Sequence, residues 1–72
     1  MITEANLTNW FTYHPPADDG QKAAYEAIRN AGLLFAECIV AHTPPSPDQT
    51  AAIRKIREAV MTANASIACG GN

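Results

Sequence analysis

Positive charge is scarce in this chain: five Lys and Arg stand against seven Asp and Glu, a formal net of −2. Wrapping a nucleic-acid duplex needs a dense basic face, so that class of partner is excluded. A small anion needs only two or three positive groups converging in one place, and that class stays open. Cysteine is equally sparse. Cys38 and Cys69 stand 31 positions apart, in no metal or redox spacing, and read as two reduced thiols of a cytosolic protein. The longest apolar run, Ala31 to Ala36, is far too short to span a membrane. Met1 to Asn9 has neither the basic start nor the apolar stretch of a signal peptide, so the expected location is the cytoplasm. Asn6-Leu7-Thr8 matches a glycosylation sequon, but without secretion the match is chance. With 72 residues there is room for one domain at most, near the size where a single core is marginal.

The groupings that carry catalysis are missing too. His14 and His42 lie 28 positions apart, and neither stands in a cluster of three or four ligand residues. A metal site needs three or four convergent ligands, so no metal is expected. His14 is followed by Pro15-Pro16 and His42 by Thr43-Pro44, which excludes the repeated His-x-Ser/Thr of two-histidine phosphodiesterases. Gly70-Gly71 sits at the tail, not in a phosphate-cradling loop. The expectation is a protein that is no enzyme and uses no cofactor.

Against these absences stands one unusual segment, Phe11-Thr12-Tyr13-His14-Pro15-Pro16. Only five aromatic residues are present, and Trp10, Phe11 and Tyr13 are three of them. Rings followed by a double proline suit a recognition surface or docking arm better than a linker.

Two helical patterns follow. Ala24, Ile28, Ala31, Phe35, Cys38 and His42 recur at spacings of three and four, with Tyr25, Gly32 and Ile39 on one flank. They predict a helix over about 18–41, with Asp18 and Asp19 at its negatively favoured N-terminus. Gly32 in mid-helix marks the close approach of another backbone. Ser46-Pro47-Asp48-Gln49 predicts the next start, with Ser as cap, Pro at the first helical position and Gln closing a capping box. From there Ile53, Ile56, Val60, Ala63 and Ile67 form a regular seam over about 47–68, and Gly70-Gly71 stops it. Arg54 and Glu58 add a spacing-four charge pair on the exposed face.

Thr43-Pro44-Pro45 leaves room only to reverse the chain. The fold class is therefore all-α: a single domain of 1–72 made of an N-terminal arm (1–16) and an antiparallel two-helix hairpin. Two helices bury one seam, and Leu33, Leu34, Met61 and the front rings cannot all face it. A hairpin of this size is unstable alone, so assembly as a homo-oligomer is expected, with the arm folding back as a third layer the plainer alternative.

Binding chemistry is available on this frame. Tyr13 offers a face for stacking a nucleobase and a hydroxyl for a hydrogen bond. Arg29 can fork two oxygens of a phosphate. Lys22 can bring a second charge, and His14 and the chain's amino terminus further donors. The same residues have plainer roles. Tyr13 serves equally well as a staple closing the hairpin's end, Arg29 as a solvated residue paired with Glu26, and Trp10 and Phe11 as docking residues.

These blocks carry a resemblance. Phe11 to Pro16, Gly20-Gln21, Tyr25-Glu26-Ala27-Ile28-Arg29, Pro44-x-Ser46, Glu58-Ala59-Val60-Met61 and Ala63-Asn64-Ala65-x-Ile67-Ala68 are similar in order and spacing to the small phage hairpin-domain proteins. Those proteins act as sponges against cyclic-nucleotide defence signalling, chiefly CBASS, with a related branch acting against Thoeris. The resemblance spans about Phe11 to Ala68. It implies helical hairpins assembled into homo-oligomers, typically hexamers, and located in the bacterial host cytosol. It implies pockets between protomers that hold cyclic dinucleotides such as cyclic GMP-AMP, and in some members cyclic trinucleotides or cyclic ADP-ribose isomers, without cutting them. By motif position it makes Tyr13 the base-stacking tyrosine, Arg29 the phosphate-contacting residue, and Asn64 a polar residue near the assembly's interior.

Two departures stand out. Thr62 replaces the Trp common after Met61, and Cys69 replaces an Arg common after the Ile-Ala block. Loss of that basic residue weakens the case for a second, trinucleotide-type pocket. The rival expectation is a non-enzymatic interaction module that docks a host or phage protein through the N-terminal rings.

Overall fold

Three helices account for most of the chain in a computed structural model that describes all 72 residues, Met1–Asn72. They are α1 (Glu4–Trp10), α2 (Asp19–His42) and α3 (Pro47–Ala68). The all-helical hairpin expected from periodicity is present, and α2 packs on α3.

The first helix is the departure from the sequence reading, which treats residues 1–16 as an arm. Thr3 caps it: its side chain accepts from Asn6 N–H, and the Asn6 carboxamide oxygen accepts from Thr3 N–H, each at 3.1 Å. This is a capping box with Asn where Glu or Gln usually stands. Glu4 adds a favourable charge in the first turn.

At α2, the Asp18 carboxylate accepts from Gln21 N–H at 2.8 Å, and Gln21 reaches back to accept from Ala17 N–H at 2.9 Å. At α3 only half of the expected capping box forms. Ser46 Oγ accepts from Gln49 N–H at 3.1 Å, but the Gln49 carboxamide donates to the Thr43 carbonyl and hydroxyl, both at 3.1 Å. Gln49 thus ties the new helix to the end of the old one and fixes the reversal. The end of α3 is a Schellman motif: Gly71 N–H donates to Ser66 O at 2.8 Å and Gly70 N–H to Ile67 O at 3.2 Å. The geometry needs left-handed residues, and Gly70 and Gly71 have φ of 65° and 81°.

The α3 seam is as expected, with Ile53, Ile56, Val60, Ala63 and Ile67 all half-buried. The α2 seam is rotated from the expected stripe. Ala24, Tyr25, Ile28, Gly32, Ala36 and Ile39 are half-buried, whereas Ala31, Phe35, Cys38 and His42 are exposed. Gly32 sets this rotation: a Cβ there would lie 2.6 Å from Val60 Cγ2, so the helices touch where α2 has no side chain. The expected Arg54–Glu58 ion pair does not form, since no basic nitrogen lies within 4.0 Å of a carboxylate oxygen.

No residue is buried, and Leu33, Leu34, Phe35, Val40 and Met61 are each more than half exposed. The surface of 5588 Å² exceeds by roughly 1,300 Å² the ~4,300 Å² typical of a compact monomer of this mass. The radius of gyration, 15.1 Å, compares with ~11 Å for a compact chain of this length. No helix is long and apolar enough to cross a membrane.

Candidate functional site

The arm folds back along the end of the hairpin where α2 starts and α3 finishes. α1 is held to the tail by two long-range bonds. Asn9 Nδ2 donates to Cys69 O at 3.1 Å, and Trp10 Nε1 donates to Asn72 O at 2.9 Å. Trp10 therefore docks, as read from the sequence. Phe11 does not dock within the protomer; it is 85% exposed. Thr12 Oγ1 donates back to Thr8 O in α1 at 2.5 Å. The imidazole of His14 then lies over α1, with Nε2 2.7 Å from Asn9 O.

This latch borders a shallow, widely open hollow of about 400 Å³. Tyr13, His14 and Pro16 form its arm wall, Tyr25 and Arg29 its α2 wall, and Met61 and Asn64 with two alanines its α3 wall. Tyr25 and Arg29 are one turn apart on α2, and Met61, Asn64 and Ala68 follow at spacings of three and four on α3. Each helix thus presents one stripe to the same space.

Four of the five expected site residues, Tyr13, His14, Arg29 and Asn64, line this hollow. Lys22 does not. It is exposed on the Arg29 face of α2, seven residues earlier. Tyr25 and Met61 belong to the lining and were missed as site residues. The Tyr25–Arg29 spacing was a usable signal, whereas Met61 reads from sequence as surplus apolar surface.

The chemical character of the hollow is mixed. Tyr13 is 83% exposed, so its ring face is free to stack. The expected Arg29–Glu26 pairing is absent, which leaves the guanidinium without a carboxylate partner within 4.0 Å. Asn64 Oδ1 is sealed from solvent and has no hydrogen-bond donor in the chain. Such an acceptor costs about 1–3 kcal/mol while it stays unpaired. His42, by contrast, is spent on its own helix, with Nδ1 2.8 Å from Cys38 O. Nowhere do three or more His, Cys, Asp or Glu side chains gather in a group that could hold a metal ion.

An exposed aromatic ring, a guanidinium without a carboxylate partner and one unpaired amide oxygen meet at one open hollow, at the end of a helical-hairpin domain. The family model "Acb2/Tad1, hairpin domain" matches residues 3–68, and the chain belongs to that family. No curated protein and no solved structure gives a match.

Proposed function

We propose that this protein is a phage-encoded sponge that binds cyclic oligonucleotide second messengers in the host cytosol and holds them uncut. By keeping the messenger from its effector it blocks CBASS- or Thoeris-type antiviral signalling. The observation that carries this reading is the meeting of Tyr13, His14, Arg29 and Asn64 in one hollow, in a chain of the Acb2/Tad1 hairpin family. Cyclic dinucleotides such as cyclic GMP-AMP are the first class to test, followed by cyclic trinucleotides and cyclic ADP-ribose isomers. Tyr13 stacks a base, Arg29 forks a phosphate, and Asn64 and His14 bond to the base or sugar.

One protomer encloses such a ligand on one side only. The surplus surface and the exposure of Leu33, Leu34 and Phe35 support assembly into a homo-oligomer, with a hexamer the expected form. A standard interface buries ~800 Å² per partner, and this chain has more than that to hide. Assembly closes the hollow against a second copy and brings two Tyr13–Arg29 sets within reach of one ligand. Sequestration at nanomolar to micromolar messenger requires roughly −8 to −12 kcal/mol. Two stacked bases at ~1–3 kcal/mol each and two charge-assisted phosphate contacts at ~1.5–3 kcal/mol each supply most of it.

Calorimetric titration with a panel of cyclic di- and trinucleotides and cyclic ADP-ribose isomers tests the reading. Micromolar or tighter binding of at least one supports it, and no binding across the panel rejects it.

A further inference from the structure

We infer that His14 enters the ligand hollow as a hydrogen-bond acceptor, and so selects ligands that bring an O–H or N–H donor to that point. The inference rests on the cyclic-nucleotide reading and adds to it the polarity of one contact. Its basis is the 2.7 Å approach of His14 Nε2 to Asn9 O. A carbonyl oxygen can only accept, so two acceptors at this distance would repel, and Nε2 must carry the proton. In the neutral ring Nδ1 is then a bare lone pair. Nδ1 has no hydrogen-bond partner within the protomer, and the residue lines the hollow.

The carbonyl that imposes this tautomer is itself fixed. Asn9 sits in the last turn of α1, and its carboxamide donates to Cys69 O at 3.1 Å, which ties the turn to the end of α3. Asn9 is thus a positioning residue: it sets which face of the imidazole chemistry the ligand meets. A phosphate oxygen offered to Nδ1 finds lone pair against lone pair. Arg29, on the opposite wall, is left as the phosphate partner, and His14 reads a neutral group. Three groups of cyclic GMP-AMP meet the requirement: the ribose 2′-hydroxyl, the exocyclic amines of the purines and the N1–H of guanine.

The test uses the full-length protein at pH 8. Long-range proton–nitrogen correlation spectra report the tautomer directly, and the Nε2–H form is expected. Cyclic GMP-AMP is then titrated beside two analogues, one lacking both 2′-hydroxyls and one with unsubstituted purine, which has neither an exocyclic amine nor an N1–H, in place of both bases. One analogue should bind about five- to tenfold more weakly than the parent, a single lost hydrogen bond. Which one does so identifies the donor. In His14→Phe this discrimination should vanish, whereas His14→Asn, which keeps an acceptor near the place of Nδ1, should retain it. The inference is overturned by an Nδ1–H tautomer, by equal affinity for all three ligands, or by discrimination that survives in His14→Phe. Failure of cyclic GMP-AMP itself to bind rejects the choice of ligand, and this inference with it. Parent binding without discrimination sinks the inference alone.

Discussion

Gly32 of α2 meets Val60 of α3 so closely that a Cβ on the glycine would stand 2.6 Å from Val60 Cγ2. Replacement by alanine pits about 1 kcal/mol of gained helix propensity against a clash at the tightest point of the hairpin. Overpacking typically costs 1–3 kcal/mol, so the clash wins. Gly32→Ala should lower the melting temperature, and adding Val60→Ala should recover part of the loss. A thermal melt that rises in the single variant would show that the helices are not in contact there.

Tyr13 is 83% exposed and contributes little to folding. Tyr13→Ala should leave the melting temperature within a degree or two of the parent. It should weaken cyclic-dinucleotide binding by roughly ten- to a hundredfold, the worth of one or two stacked bases. Calorimetry and thermal denaturation on the same preparation separate the two effects.

Arg29 has no carboxylate within 4.0 Å, so its removal breaks no internal ion pair. Arg29→Gln should cost about ten- to a hundredfold in affinity. It should also flatten the dependence of binding on salt, because fewer charges are brought together. A variant as tight and as salt-sensitive as the parent would remove Arg29 from the site.

Asn64 separates stability from function in the opposite sense. Its Oδ1 is sealed from solvent with no donor. Asn64→Ala should leave the free protein as stable or slightly more so, since an unmet acceptor is removed. The same change should weaken ligand binding several-fold. Destabilisation with unchanged affinity would make Asn64 a packing residue.

Phe35 lies on the expected apolar stripe of α2 yet is 57% exposed. Phe35→Glu should therefore shift sedimentation from an oligomer towards a monomer while helical content stays largely intact. A parent that sediments as a monomer at micromolar concentration would contradict the proposed assembly.

The hairpin was legible from the sequence because its signals are local. The cap at Ser46, the Pro at the first helical position, the apolar seam of α3 and the tail glycines each depend on neighbours within a few residues. The rotation of α2 was not, because the stripe through Phe35 and the stripe through Ile39 are equally apolar. Only the Gly32–Val60 contact across the hairpin chooses between them. Helix α1 was missed because its cap pairs Thr3 with Asn6, a weaker signal than Thr with Glu or Gln. Tyr13 and Arg29 were nameable from residue chemistry and family resemblance. That they line one hollow with Met61 and Tyr25 depends on how the arm folds back, through Asn9, whose partner Cys69 lies 60 positions away, and through Trp10.

The central claim is sequestration without turnover, and one measurement addresses it most directly. The protein is incubated with a mixture of cyclic nucleotides, separated from free ligand, heated to unfold it, and the released material identified by mass. The prediction is a cyclic dinucleotide, released intact. Linear or cleaved nucleotides, or no released nucleotide at all, would contradict it.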